Sequence, residues 1–297
     1  MKRVIGFFVV AVIAVAALYV AQRRPQSPPV SSNAVLEVAA DVQRDVTRAP
    51  LQLTRMSDEQ EIEVGNQLAS RYVTDLGQLS PEETALQKYV VRIGGALALR
   101  AKRKLPYQFH LIPDRNMMNA FALPGGHVFV GEGMTDLMMS EDELANVIGH
   151  EIEHVDHYHC AERVQIEAHA RKLHLGLLGE IVQLPIAIWQ AGYSKDQELE
   201  ADREGIRLAV AASYSPYGAV HLFEKFLSMS RENVIDARTP QQELSQLAVQ
   251  SLGGYFRSHP PTSVRLEQAE ALISDERWTD RKQLKPFRIS YEISSKQ

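Results

Sequence analysis

Ser140-Glu141-Asp142-Glu143-Leu144-Ala145-Asn146-Val147-Ile148-Gly149-His150-Glu151-Ile152-Glu153-His154 is the stretch whose reading decides the fold. Ser140 with Glu143 three residues on is a capping box, which predicts a helix start. Leu144, Val147 and Ile148 then give that helix a buried stripe. It carries His150 and His154 four residues apart, and so on one face. Two neutral imidazoles at that spacing can reach one zinc ion at about 2.0–2.1 Å. Glu151 is turned about 100° from His150, which suits a general base better than a ligand. The expected metal is one Zn²⁺ per chain, held through His150 and His154.

A two-histidine site needs a third ligand. His157 and Cys160 follow at the spacing where another histidine-rich pattern would continue, but no glycine turns the chain there. Cys160 therefore reads as a buried structural thiol. His157 and His159 read as residues that support the ligands or lie at the surface of a continuing helix. The alternative is a distant glutamate. Glu-x-x-x-Asp is one pattern for it, and copies begin at Glu37, Glu132, Glu198, Glu232 and Glu276. The Glu198 copy fits best, because it lies downstream on an amphipathic helix. Asp202, one turn on, can then fix the tautomer of a ligand imidazole. Glu200 points off that face and reads as a solvated charge.

Outward from this motif, the pattern is helical from about residue 36 to 103, with a strong start at Ser80-Pro81-Glu82-Glu83. Residues 107–112 and Asn119-Ala120-Phe121-Ala122-Leu123 read as strands. A turn at Pro124-Gly125-Gly126 leads into a returning strand at 127–130. The helix opened at Ser140 is expected to run to about Lys172. Further helices are expected from near Ser194 to Ala211, from Pro216 to Met229, and after Pro260-Pro261.

The segments 119–126, 150–154, 194–205 (SKDQELEADREG) and 258–261 (SHPP), in that order, resemble the HtpX/CAAX prenyl protease family of gluzincin metallopeptidases. The likeness is nearest to its soluble-domain, BepA-like envelope quality-control members and covers about residues 57–270. It implies an α+β, mainly α, zincin-like domain whose small sheet carries a substrate-pairing edge strand, Asn119 to Leu123. It implies Glu198 as third ligand and Asp202 behind a ligand. It also implies His259 beside the zinc, either stabilising the transition state or filling the open position in a resting form. The implied activity is endopeptidase cleavage of unfolded or misfolded envelope proteins through metal-activated water. Two other readings stay open: a zinc-structured chaperone that binds extended chains with little cleavage, and a membrane-embedded processing enzyme. Where multi-span relatives have several clear membrane helices, one is expected here, and no helical-repeat extension of the BepA-like kind is expected within these residues.

The first 21 residues stand apart. Lys2 and Arg3 precede an uncharged run from Val4 to Ala21. As a helix that run spans about 27 Å, near the thickness of a bilayer core. It is expected to be a signal anchor, or a signal peptide cut to release the protein to the periplasm. Residues 22–35 then form a linker, residues 36–297 the catalytic domain, and that domain faces the extracytoplasmic side. Residues 173–193 carry one formal charge and read as a packed or groove-lining segment, with a second span as the alternative. A net charge of −5 without clustered Lys and Arg argues against nucleic acid as a partner.

Overall fold

The computed structural model describes residues 56–73, 79–170, 193–232, 259 and 263–287. The anchor run 1–21, the linker 22–35, the segment 173–192 and Pro260-Pro261 lie outside the described residues. In chain order the helices are α1 (Asp58–Val73), α2 (Pro81–Ala98), α3 (Glu132–Asp136), α4 (Glu141–Asp156), α5 (His159–Ala170), α6 (Lys195–Ala211), α7 (Tyr217–Glu232) and α8 (Ser263–Asp275). Between α2 and α3 lie β1 (Gln108–Ile112), β2 (Ala120–Leu123) and β3 (His127–Gly131). The class is α+β and mainly helical. Among the described residues no helix is long and apolar enough to cross a membrane.

Local chemistry sets the helix starts. Ser80, Ser140 and Ser194 each close a reciprocal capping box, with Glu83, Glu143 and Gln197 as partners. Each cap contributes about 1 kcal/mol. The helical pattern stops at Ala98, earlier than expected. Residues 102–107 instead bind the C-terminal end of α4, where Asp156 accepts from the Lys102 and Arg103 amides and from the Tyr107 hydroxyl.

The three strands lie in the order β1-β3-β2, with β1 parallel and β2 antiparallel to β3. Alternation along the strands splits the core. Ala120, Ala122, Val128 and Val130 pack with α2 and α4 residues such as Val90, Ile93, Ile148 and Ile152. Phe121, Leu123 and Phe129 pack with Val64 and Leu68 of α1 and Val164 of α5. The sheet is thus buried on both faces. α4 lies at the centre, with every residue from Asp142 to Asp156 buried.

The helix expected to run to Lys172 breaks after Asp156. Tyr158 takes φ 61°, and α5 starts afresh at His159. A left-handed tyrosine costs about 1–2 kcal/mol. The Arg103 guanidinium, 3.8 Å above its ring, helps to offset that, and it is itself tied to Glu61 at 2.6 Å. The break turns His159 back toward α4 instead of letting it run on into a continuing helix.

α4 and α6 cross at a glycine pair. A Cβ on Gly205 would stand 2.7 Å from the His150 amide nitrogen, and one on Gly149 would stand 2.8 Å from the Gly205 carbonyl oxygen. Only glycine at both positions lets the backbones approach this closely. The crossing falls beside His150 and brings the first turns of α6 against the histidine motif.

Candidate metal centre

Four side chains converge at the α4–α6 crossing. His150 and His154 come from one face of α4, Glu198 from the first turn of α6, and His259 from the segment before α8. Each offers one ligand atom, these atoms lie within 4.8 Å of one another, and all four residues are buried. His150 Nε2 is 3.0 Å from His154 Nε2 and 3.1 Å from His259 Nδ1. Glu198 stands 3.0 Å from His259 Nδ1, 3.5 Å from His150 Nε2 and 3.6 Å from His154 Nε2. Donors bonded at 2.0–2.1 Å to a tetrahedral ion stand about 3.3 Å apart. The cluster brackets that spacing, and imidazoles with one carboxylate are a donor set that suits zinc.

Glu151 is fully buried beside this cluster. Neither of its carboxylate oxygens has a hydrogen-bond partner among the described residues, and Oε1 lies 3.4 Å from His259 Nε2. A buried carboxyl without a hydrogen bond costs free energy to keep charged.

The supports are as specific as the cluster. His150 Nδ1 lies 2.8 Å from Asp202 Oδ1, which leaves Nε2 facing the donors. Arg265 grips Asp202 in a two-pronged pair, Nε to Oδ2 at 2.6 Å and a terminal nitrogen to Oδ1 at 2.7 Å. Its other nitrogen is 3.3 Å from Glu198. Tyr193 stacks on the His154 ring at 3.7 Å between centroids, and the Arg163 guanidinium lies 3.7 Å over the same tyrosine.

The charges follow from these contacts. Burial pushes the Glu198 carboxyl up, but His259 and Arg265 outweigh it and hold the group well below its ordinary range. Burial likewise pushes Asp202 up, but Arg265 and His150 together hold it low. Burial pushes His150 down, but the Asp202 hydrogen bond and the charges of Asp202 and Glu198 together raise it. Burial holds His154 well below its ordinary value, so its ring stays neutral, as a ligand must be.

The structure thus brings together His150, Glu151, His154, Glu198, Asp202 and His259. In the segment Asn119 to Leu123, the buried Cys160 thiol sits 3.6 Å from the Ala122 carbonyl oxygen. Burial pushes that thiol up to about 12, which makes it an inert group. Glu200 departs from its expected role. It is no free solvated charge, since it meets His157 at 3.3 Å and His159 at 3.5 Å. His159 lies beside the site, with its Nδ1 2.9 Å from His154 Nδ1. Sequence reasoning missed Arg265 and Tyr193. An arginine on a helix with little amphipathic pattern gives no local sign that it will be buried against Asp202.

The sequence profile of peptidase family M48 matches residues 83–273. The chain is 27% identical over 227 residues to the beta-barrel assembly-enhancing protease of Escherichia coli K12, covering 64% of this chain and 46% of that one. It is 29% identical over 172 residues to the mitochondrial metalloendopeptidase OMA1 of Arabidopsis thaliana, covering 56% of this chain and 32% of that one. It is 24% identical over 210 residues to the metalloprotease LoiP of E. coli K12, covering 67% and 78%. The chain spans about half the length of the beta-barrel assembly-enhancing protease.

Proposed function

This chain belongs to peptidase family M48, and on that premise we propose that it is a zinc-dependent endopeptidase acting on extended segments of unfolded or misfolded envelope proteins. The observation that carries the reading is Glu151, a buried carboxylate whose oxygens have no hydrogen-bond partner among the described residues, set beside four converging donors.

His150, His154 and Glu198 would hold the ion. Zinc supplies Lewis acidity, which polarises a peptide carbonyl and acidifies water. Glu151 takes the proton of the attacking water and returns it to the leaving amine, in a hydrolysis with no covalent intermediate. Asp202 fixes the His150 tautomer, and Arg265 keeps both Asp202 and Glu198 ionised. His259, with Nδ1 among the donors and Nε2 toward Glu151, would serve either as a further ligand in a resting form or as a donor to the transition state. A buried carboxylate set beside the donors favours hydrolysis over a chaperone that only holds chains.

The substrate pairs with the outer edge of β2. Asn119 and the odd-numbered strand residues turn their backbone groups to β3, beginning with the Asn119 carbonyl that accepts from Gly131. The backbone groups of Ala120 and Ala122 therefore point away from β3, but both residues are buried and the Ala122 carbonyl meets the Cys160 thiol, so a peptide backbone can pair here only once that cover moves. The opposite edge of the sheet is closed. The Gln87 side chain donates to the Phe109 carbonyl at 2.8 Å and accepts from the Leu111 amide at 2.6 Å, taking the place of a strand. Backbone pairing reads extended chains with little regard to side chains, which suits unfolded clients.

The Val4–Ala21 run supports anchorage by the N-terminus, with the catalytic domain extracytoplasmic. A relative named for beta-barrel assembly agrees with an envelope setting.

The test compares wild type with Glu151→Gln on a carboxymethylated, unfolded protein while bound zinc is counted. Equal zinc in both, with cleavage reduced about 10²–10⁴-fold in the variant, is expected. Cleavage that survives in the variant, or that persists in wild type stripped of metal, overturns the assignment.

A further inference from the structure

A second group of donors lies behind His154, outside the cluster assigned to catalysis. The break at Tyr158 sets His157 and His159 side by side, and Glu200 of α6 reaches both. His157 Nδ1 is 3.3 Å from Glu200 Oε1, and His159 Nε2 is 3.5 Å from Glu200 Oε2. The ligand atoms of the three residues lie within 4.8 Å of one another. Glu153 stands next to them, with Oε2 3.2 Å from His157 Nε2. Both atoms of that contact are buried, yet neither is aligned for a hydrogen bond with any described residue.

We propose that His157, His159 and Glu200, with Glu153 adjoining, form an accessory site for a divalent transition-metal ion of the zinc class. The His157–Glu200 and His159–Glu200 spacings of 3.3 and 3.5 Å match the roughly 3.3 Å edges of a tetrahedron with 2.0–2.1 Å bonds. Two imidazoles and a carboxylate select zinc-like ions over Mg²⁺ or Ca²⁺, which want oxygen donors. Glu153 and Glu200 supply negative charge against Lys102 and Arg203, the bases acting on this group. The site is open to solvent, with side-chain exposures of 22% at His157 and 38% at Glu200, whereas the four donors of the first cluster are all buried.

The two sites share a ring contact. His159 Nδ1 lies 2.9 Å from His154 Nδ1. Under the reading above, His154 binds through Nε2 and donates from Nδ1. A neutral His159 that accepts there carries its own proton on Nε2, the atom the accessory ion needs. The second ion must displace that hydrogen bond, so it binds more weakly than the first.

The test counts metal in the untagged full chain after titration with Zn²⁺ and dialysis against graded chelator. Co²⁺ absorption follows each ion separately. Two ions are expected in wild type, the weaker one leaving first. His157→Gln and Glu200→Gln each retain only the tighter ion, and His150→Gln retains only the weaker. Glu200 is half-exposed on a helix surface, so its variant folds even if the His157 variant does not. A single ion in wild type, lost in His150→Gln and kept in Glu200→Gln, overturns the accessory site and leaves the catalytic reading intact. A single ion lost in Glu200→Gln and kept in His150→Gln supports the accessory site and removes the catalytic one.

Discussion

Substituting alanine at Gly205 and at Gly95 should move the protein in opposite directions, although both glycines lie inside helices. Alanine in a helix interior is favoured over glycine by about 1 kcal/mol. At Gly95 nothing lies within 4 Å of an added Cβ, so Gly95→Ala should gain that amount. At Gly205 the added Cβ meets the His150 amide nitrogen at 2.7 Å and the Gly149 carbonyl carbon at 2.9 Å. Both neighbours are backbone and cannot rotate away. Ordinary contact begins near 3.4 Å, so α4 and α6 must part by about 0.7 Å. Overpacking of this kind costs about 1–3 kcal/mol. The melting points of the two variants should separate by that term, at roughly 2–4 °C per kcal/mol for a domain of this size. The same shift moves Glu198 and Asp202 away from His150, whose donor contacts span 2.8–3.5 Å. A misplacement approaching 1 Å costs on the order of 10²-fold in rate. Thermal melts with saturating zinc and with chelator, beside cleavage of an unfolded protein, read both effects. If Gly205→Ala melts with Gly95→Ala and cleaves like wild type, the helix crossing does not set the site.

Arg265→Met should cost about 3–5 kcal/mol in urea unfolding, because it leaves the buried Asp202 charge without its partner. Lysine there should recover only part of that, lacking the fork that meets both carboxylate oxygens. Burial, aided by the neighbouring His110, pulls His127 from 6.5 down to about 4. Protons then bind the unfolded chain first, so the stability this group contributes is complete above pH 6.5 and lost as pH falls toward 4. His127→Gln should flatten the acid limb of unfolding midpoints in that window, and an unchanged limb refutes the assignment. Cys160, buried with its thiol held near 12, should resist a disulfide reagent at pH 8 until the chain unfolds. Prompt labelling of the folded protein would show that the pocket around it opens.

Capping boxes and hydrophobic periodicity involve residues within a turn or two of one another. For that reason the starts of α2, α4 and α6, the strand pair around Pro124-Gly125-Gly126, and the shared face of His150 and His154 could be read from the chain directly. The proposed third donor is a different matter. Glu-x-x-x-Asp occurs five times, and the downstream, amphipathic setting that favours the Glu198 copy says nothing of where its carboxylate ends up. In the fold, Glu132 pairs with Arg115 and Glu276 with Arg207, while Glu198 is carried to the histidines by the contact of Gly149 with Gly205. That selection depends on two helices about 50 residues apart meeting without side chains between them. The break at Tyr158, the burial of Arg265 on Asp202 and the placing of Glu200 against two histidines have the same origin. Each is decided by what the rest of the chain packs against it, and a residue's own neighbours in sequence carry no record of that.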